Sequence, residues 1–497
     1  VIVSVRTWTP QDIAAVRTVL LDTWLDAYGS FIPESDLRGY LDQQYSESKL
    51  QELQQDPDVT GLVAEVDDTM AGYAKLYHER NANRFYVHQL YIHPKHQGSG
   101  VGRRLMIRAA DLAGEQGFDR VWLGVMVKNT SAVQWYRAMG FEVEETSPFQ
   151  MGSTSVEHFI GWVPLRGIYA VPKRRLANVP NDRPLAQRMA SLLESQRKQW
   201  QMLTDGVASL DQVTVKQLEC TGFRAFLQWN PKRIVSTGAK VDPKTIQKRR
   251  CFLCVDNLPD AQQGLAYGDD YIILCNPAPI FRQHFTIPHI RHVPQLLEPN
   301  VGMMIRLAQD LSRSLTVFYN GPQCGASAPD HMHFQASPFR GIPVERDIDL
   351  GHLELKQYAT EGVRVGVPAA YGREIVVLRS NDAPLMEDAI RRLMVAMRIE
   401  LKTEGEPLVN VICSHGDEGF RTIFFLRRSH RPSHYFREGD EQILISPAAV
   451  DIGGLVVTPH ERDFNRVDAP TLEAIYREVS LDRSDTLRIV DRFLSSS

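Results

Sequence analysis

Four side chains able to bind a soft metal recur in order in this chain: Cys251 and Cys254, within Cys-Phe-Leu-Cys, then His292 and His331. Two thiolates and two imidazoles make a tetrahedral set that suits Zn2+. A full set of four protein ligands closes the site, so such a metal supports structure and does no Lewis-acid chemistry. One ion holding all four ties distant stretches of chain to a single point, which demands a folded domain around it. The remaining cysteines, Cys220, Cys275, Cys324 and Cys413, lack partner spacing and are expected to be packing residues. Six cysteines in 497 residues are too few for a disulfide scaffold.

Apolar residues make up 43% of the chain, and 56 Lys and Arg stand against 60 Asp and Glu, which excludes a disordered polymer and allows a sizeable core. At roughly 100–200 residues per domain, two to four domains are expected. The sequence has no run of about 18 apolar residues and no basic segment leading into an apolar one at its N-terminus. Neither a membrane span nor a secretory signal is expected, and a cytoplasmic location is the default.

Charge is unevenly distributed. Residues 166–250 carry 17 basic and 6 acidic side chains, while the flanking regions are net acidic. This stretch lacks the interleaved aromatics and glycines of a single-strand binder, which favours small phosphorylated ligands over nucleic acid. The breaks predict a first domain over 1–165, a basic linker with a helix over 166–215, and a second domain over 216–497. Prolines in Val171–Arg175 and Asn178–Pro184 mark the linker, and Leu185–Leu203 has helical spacing. Gln228, Asn230, Lys232, Arg233, Ser236 and Lys240 form a polar loop expected to help hold substrate phosphates.

In the first domain, strand-like Arg84–His93 runs into Pro94-Lys-His-Gln97-Gly98-Ser99-Gly100-Val101-Gly102, and an amphipathic helix follows. A Gly-rich turn between strand and helix leaves backbone N–H groups free at the positive end of the helix dipole, as a pyrophosphate requires. The turn lacks the Lys-Ser/Thr pair of a Walker loop. Alone, it also fits an ordinary tight turn. A strand, Val121–Val127, and then Asn129-Thr-Ser-Ala132-Val-Gln-Trp-Tyr136 come next.

Together these stretches resemble the GNAT acetyltransferase superfamily over nearly all of 1–165. The resemblance implies an α/β fold, a mixed sheet with flanking helices, that binds acetyl-CoA. Ile92, Gln97, Gly98, Ser99, Gly100, Val101 and Gly102 would hold the cofactor, Asn129 would lie along its pantetheine arm, and Tyr136 would protonate the departing thiolate. A small-molecule amine would accept the acetyl group. His88, on the strand before the turn, is the candidate general base.

The second domain resembles the histidine triad superfamily, on four stretches: Cys251-Phe-Leu-Cys254, Asn276-Pro-Ala-Pro279, His284-Phe-Thr-Ile-Pro288-His-Ile-Arg-His292, and Gly325-Ala-Ser327-Ala-Pro-Asp330-His331-Met-His333-Phe-Gln335. The resemblance implies an α+β, uridylyltransferase-like antiparallel sheet with helices. It makes Cys251, Cys254, His292 and His331 zinc ligands, Asn276 a ribose contact and His333 the nucleophile. Gln335 stands where hydrolase members carry a third His. This groups the chain with galactose-1-phosphate uridylyltransferase, diadenosine tetraphosphate phosphorylase and GDP-L-galactose phosphorylase, and Ser446-Pro-Ala-Ala449 resembles the last of these. Asp330 extends the family's usual run by one residue.

The chemistry implied is attack of an imidazole on the α-phosphorus of a nucleotide or nucleotide sugar, followed by transfer to inorganic phosphate or a sugar phosphate. Gln335, Ser327 and amides near Gly325 would steady the phosphate oxygens. His415, His430 and His434, with Arg421, Arg427, Arg428, Arg431 and Arg437, are further candidates for phosphate contact. The region after 350 has no second His-x-His, which agrees with two related halves of which one carries the nucleophile.

The expectation is therefore a bifunctional enzyme, an acetyltransferase joined to a nucleotidyltransferase or phosphorylase. Alternatives are a dinucleoside polyphosphate hydrolase, or a nucleotide- or acetyl-CoA-sensing protein with one inactive domain. A homodimer is left open.

Overall fold

Alternating residues at the start of the chain form strand β1 (Val3–Thr7), and Thr9, whose amide donates to Asp12 Oδ2 at 2.6 Å, turns it into helix α1 (Ile13–Tyr28). The computed structural model describes residues 3–231, 249–351, 353–360 and 362–495. These fall into two units, 1–170 and 171–497. Among the described residues no helix is long and apolar enough to cross a membrane.

In the first unit, helices α2 (Glu34–Gln44) and α3 (Glu47–Gln55) lead to strands β2 (Val59–Val66) and β3 (Thr69–Glu79). Asp67 and Asp68 join this pair with φ of 47° and 63°. Such a mirror-image turn matches the right-handed twist of the strands it connects. Strand β4 (Arg84–Ile92), helix α4 (Val101–Glu115), strand β5 (Arg120–Met126), helix α5 (Thr130–Ala138) and strands β6 (Glu142–Met151) and β7 (Thr154–Pro164) complete a seven-stranded sheet ordered β1-β2-β3-β4-β5-β7-β6.

Every pair in this sheet is antiparallel except β4 with β5, which run parallel and meet only at Tyr86–Trp122 and Val87–Leu123. The β3–β4 register steps from Leu76↔Val87 to Lys75↔Gln89, leaving His88 as the extra residue of a bulge. A bulge bends its strand and sharpens the local twist. Beyond the bulge β4 and β5 are no longer paired, which opens the sheet between their C-terminal ends.

The second unit holds strands β8 (Thr214–Cys220), β9 (Phe223–Trp229), β10 (Gly264–Tyr267), β11 (Tyr271–Cys275), β12 (Phe285–Pro288), β13 (Leu315–Asn320), β14 (His333–Pro338), β15 (Leu355–Thr360), β16 (Val363–Pro368), β17 (Ile375–Ser380), β18 (Val409–Gly416), β19 (Gly419–Leu426) and β20 (Leu455–Thr458). Ten of them form one antiparallel sheet ordered β10-β11-β12-β14-β13-β18-β19-β17-β16-β15, and β20-β9-β8 form a small second sheet.

The large sheet is two copies of one topology. Three strands, a helix (Val301–Asp310) and two strands give the order β10-β11-β12-β14-β13. Three strands, a helix (Ala383–Leu401) and two strands give β15-β16-β17-β19-β18. The copies join edge to edge through β13 and β18. They differ at one connection: residues 321–332 link β13 to β14, whereas Asp417 and Glu418 alone turn β18 into β19.

One face of the large sheet carries Phe334, Ala336, Val411 and Phe424, packed with residues of the helices 301–310 and 383–401. The other carries Phe318, Ile412 and Ile423, packed with Leu227 of β9 and Val456 of β20. The helix expected within a linker is part of this architecture. Leu185, Met189, Leu192 and Leu193 of helix Leu185–Gln199 are buried in the first of these cores, because its apolar stripe must be covered and the sheet covers it.

Candidate functional site

In the first unit, the turn between β4 and α4 places Gly98 and Gly100 at φ of 74° and 89°, and an added Cβ on either would enter open space. Left-handed backbone costs a residue with a side chain roughly 1–2 kcal/mol, so glycine belongs here. The first amides of α4 have no intrahelical acceptor and mark the positive end of a 15-residue helix. Gly102 lies in the first turn of α4, and an added Cβ there would meet Ile92 and Trp135 at 3.5 Å. Gln97 Nε2 donates to Asp26 at 3.3 Å, and Ser99 Oγ donates to the His96 carbonyl. These residues form an exposed glycine turn whose free amides suit a pyrophosphate.

Beside the opening between β4 and β5 lies a cavity of about 570 Å3. Asn129, Tyr136 and the bulge residue His88 all line it. Asn129 caps α5, its Oδ1 accepting from the Ala132 amide at 3.2 Å. Burial holds the Tyr136 hydroxyl well above the ordinary phenol range, with Tyr28 adding to the effect, and Tyr28 itself is pushed up to about 12 by burial. His88 is exposed and lines the cavity. Loss of hydration, then Lys75 and His158, lowers its pKa to about 4, so the ring is neutral and able to take a proton at pH 7.

In the second unit, the ligand atoms of Cys251, Cys254, His292 and His331 lie within 4.8 Å of one another. Cys251 Sγ is 3.2 Å from His331 Nδ1, and Cys254 Sγ is 3.3 Å from His292 Nδ1 and 3.6 Å from His331 Nδ1. A tetrahedral zinc at usual bond lengths sets sulfur and nitrogen about 3.6 Å apart, so the set fits that ion. Both imidazoles present Nδ1 because Nε2 is engaged: His331 Nε2–H donates to the His289 carbonyl at 2.7 Å, and His292 Nε2–H to Asp330 Oδ2 at 3.3 Å. Cys254 and the two imidazoles hold the Cys251 thiol far below its ordinary range.

Asp330, the residue by which this chain exceeds the usual spacing, also accepts from Arg249 at 3.2 Å. Sequence reading flagged the insertion without a role. The structure makes it the carboxylate behind His292.

His333 opens β14, 4% exposed. Its Nδ1–H donates to the His331 carbonyl at 2.8 Å, and its backbone is gripped on both sides by Gln295, at 2.7 and 3.1 Å. The lone pair of Nε2 is thereby left available. Burial lowers the ring's pKa to about 4. Gln335 lies two residues on, hence on the same face of the strand. Its Oε1 accepts from His284 Nε2–H at 2.8 Å, and His284 is fixed in that tautomer because its Nδ1 accepts from the Ile280 amide at 3.0 Å. The arrangement turns the Gln335 amide N–H groups away from His284. His284 was visible as the first His of its stretch but had no assigned part.

Asn276 follows β11, donating to Thr286 Oγ1 at 3.3 Å, and Thr286 pairs with Gln335 across the strands. Gly325 has φ of 91°, and a Cβ there would strike Ala448 at 2.5 Å, so the Ser446–Ala449 stretch lies against this loop. Ser327 is exposed on the loop, and its carbonyl accepts from Arg249 at 3.0 Å.

Two phosphate candidates are corrected. Arg427 is fully buried and donates to Asn410 and to the carbonyls of Pro447, Ser429 and His430. Arg421 is buried against Glu345 at 2.8 Å and against Asp349. Both spend their donors on the protein's own acceptors. His415 bonds Ser312 at 2.9 Å. Of the polar loop, Gln228 and Asn230 are buried, and residues 232–248, with Lys232, Arg233, Ser236 and Lys240, lie outside the described residues.

Residues 21–141 match the acetyltransferase (GNAT) family, and residues 192–338 match a domain of unknown function, DUF4922. An uncharacterized N-acetyltransferase of Mycobacterium bovis is 31% identical over 117 residues, covering 24% of this chain and 74% of the relative. The L-amino acid N-acyltransferase MnaT of Escherichia coli is 33% identical over 95 residues, covering 18% of this chain and 55% of the relative. Among solved structures, a PaiA N-acetyltransferase of Thermoplasma acidophilum in complex with coenzyme A aligns at 23% identity and a TM-score of 0.30, covering 33% of this chain and 99% of that one.

Proposed function

We propose a function that proceeds from family membership: through its N-terminal unit this chain belongs to the acetyltransferase (GNAT) family. That unit is an N-acetyltransferase using acetyl-CoA, which supplies the acetyl group as a thioester. Our reading of the site gives the turn from Gln97 to Gly102, with Ile92, the task of holding the cofactor's pyrophosphate, and sets Asn129 beside its arm. The acceptor is a small amine, which loses a proton to neutral His88 while the Tyr136 hydroxyl gives one to the departing thiolate. The observation that carries this is the single cavity lined by His88, Asn129 and Tyr136 at the parting of β4 and β5. Tyr136→Phe is expected to lower kcat about 100-fold while leaving the KM for acetyl-CoA within a factor of about two. Steady-state release of free thiol measures both. An unchanged kcat assigns Tyr136 to packing.

For the second unit we propose nucleotidyl transfer or phosphorolysis through His333. Its Nε2 would attack the α-phosphorus, breaking the bond to the phosphorylated leaving group. A phosphate oxygen would then attack the same phosphorus and release the histidine. The supporting observation is the locked geometry of His333, Gln335 and His284, in which one lone pair and one amide face a common side of β14. Gln335 would steady a non-bridging oxygen without supplying a proton. Cys251, Cys254, His292 and His331 would hold a structural zinc that stiffens the strand entry ahead of His333. Nucleotide release from a panel of nucleoside diphosphate sugars and dinucleoside polyphosphates, with and without inorganic phosphate, tests the reading. Release that ignores phosphate would favour the hydrolase alternative, and no turnover at all would favour a sensor.

A further inference from the structure

Lys75 sits in the middle of β3, 8% exposed, and lines the cavity shared by His88, Asn129 and Tyr136. Burial lowers its pKa to about 8, which still leaves most of the ammonium charged at neutral pH. Among the described residues no carboxylate reaches ion-pair distance of its Nζ, which stands 5.7 Å from the centroid of the Tyr45 ring and close enough to His88 to lower that imidazole's pKa. Asp56 and Glu79 line the same cavity without pairing with it. Gln89, its cross-strand partner, donates from Nε2 to the Tyr45 hydroxyl and leaves its acceptor Oε1 buried and unpartnered, open to an N–H rather than to an anion.

A buried ammonium without a counter-ion is costly, because its desolvation is offset only by a weak attraction to an aromatic ring. Strand β3 would be better served there by an apolar residue. The same cavity is walled by Trp24, Tyr40 and Phe149, which suit an aromatic or bulky apolar body. A buried ammonium and aromatic walls around one void together specify a ligand that carries an anion on an apolar frame.

We propose that Lys75 is the anion-recognising residue of the acceptor site, and that the accepted amine is an amino acid with a large apolar or aromatic side chain whose carboxylate pairs with the Lys75 ammonium. This rests on the acetyltransferase reading above and adds the substrate class. Acetyl transfer to such an acceptor forms an N–C bond and breaks the thioester C–S bond, the amine proton passing to His88 and the sulfur taking one from Tyr136.

Calorimetry on the full chain saturated with coenzyme A, using N-acetyl-L-phenylalanine and its carboxamide as matched product-like probes, tests the assignment. The carboxylate form is expected to bind at least tenfold tighter. That preference should shrink to within about twofold in Lys75→Met, in line with loss of one charge-assisted contact, and survive in part in Lys75→Arg. Equal binding of the two probes, a preference that persists in Lys75→Met, or binding of neither probe would overturn it. Failure of coenzyme A itself to bind would instead overturn the acetyltransferase reading. Ligand-free Lys75→Met is also expected to melt at or above the parent temperature, since it removes an uncompensated charge. A drop in Tm would mean that Lys75 serves the fold, and would count against the assignment.

Discussion

The Cys251→Ala variant is expected to retain less than a tenth of the zinc carried by the parent chain and to melt about 10 °C or more below it, given that structural zinc sites supply about 10–16 kcal/mol of apparent binding energy in small domains. The four ligand atoms lie within 4.8 Å of one another, and two of them come from residues far along the chain, His292 and His331. Without the ion, the negative thiolates and the imidazoles fixed as Nδ1 ligands lose the charge that holds them together. Asp330→Asn should act more gently, weakening zinc by about 10–100-fold while leaving the ligands in place, because it loosens only the grip on His292 Nε2. Cys413→Ala is the control. That thiol is buried in the sheet core, away from the cluster, and its loss should cost stability without costing metal. Elemental analysis of protein purified without chelator, alongside thermal melts, reads all three. Parent protein free of zinc, or Cys251→Ala with its zinc intact, would remove the basis for a metal-braced second unit.

The other large effect is expected at His333. With a nucleotide substrate labelled at the α-phosphorus, the parent chain should form an acid-labile covalent adduct, and His333→Ala should form none and lose turnover by at least about 10^3–10^4, the scale on which removing a nucleophile acts. The deletion removes one side-chain hydrogen bond, to the His331 carbonyl, while the backbone remains pinned by Gln295. Zinc content in the variant should match the parent, which separates lost chemistry from lost structure. An adduct that persists in His333→Ala would place the nucleophile elsewhere.

Much of the local geometry around both candidate sites was legible in the sequence, because tight turns and short spacings depend on particular residue types at short range. Gly98 and Gly100 serve a turn that only glycine adopts cheaply, and both have positive φ. The pair Cys251 and Cys254 and the His-Met-His run lie within single loops or strands, so local spacing carries their geometry. The hairpin at Asp67-Asp68 is of the same kind.

What depends on which surfaces meet was not legible. An apolar stripe on Leu185–Gln199 says that the helix must be covered, and only the sheet beneath it says by what. Arg421 and Arg427 read as free charge for phosphate, yet their partners Glu345, Asp349 and Asn410 are brought to them by strand and helix packing. The two halves of the large sheet share a strand order without a visible sequence repeat, because strand pairing is written in backbone hydrogen bonds that many side chains permit. Their difference is a matter of one connection: the long loop carrying Gly325, Ser327, Asp330 and His331 is replaced in the second half by a two-residue turn, which leaves no chain to build a second site.

By itself, then, the order of amino acids determined the local pattern: the glycine turn, the order and type of the clustered Cys and His side chains, and the imidazole at His333 with its amide neighbour at Gln335. Tertiary structure alone decided which charges are neutralised and which are left waiting. Lys75 has no mark in the sequence, and it became a candidate site only when β4 bent at His88 and aromatic walls closed around an ammonium with no counter-ion. The physical reason is that desolvation and charge pairing depend on everything within a few ångströms in space, whereas sequence records only neighbours along the chain.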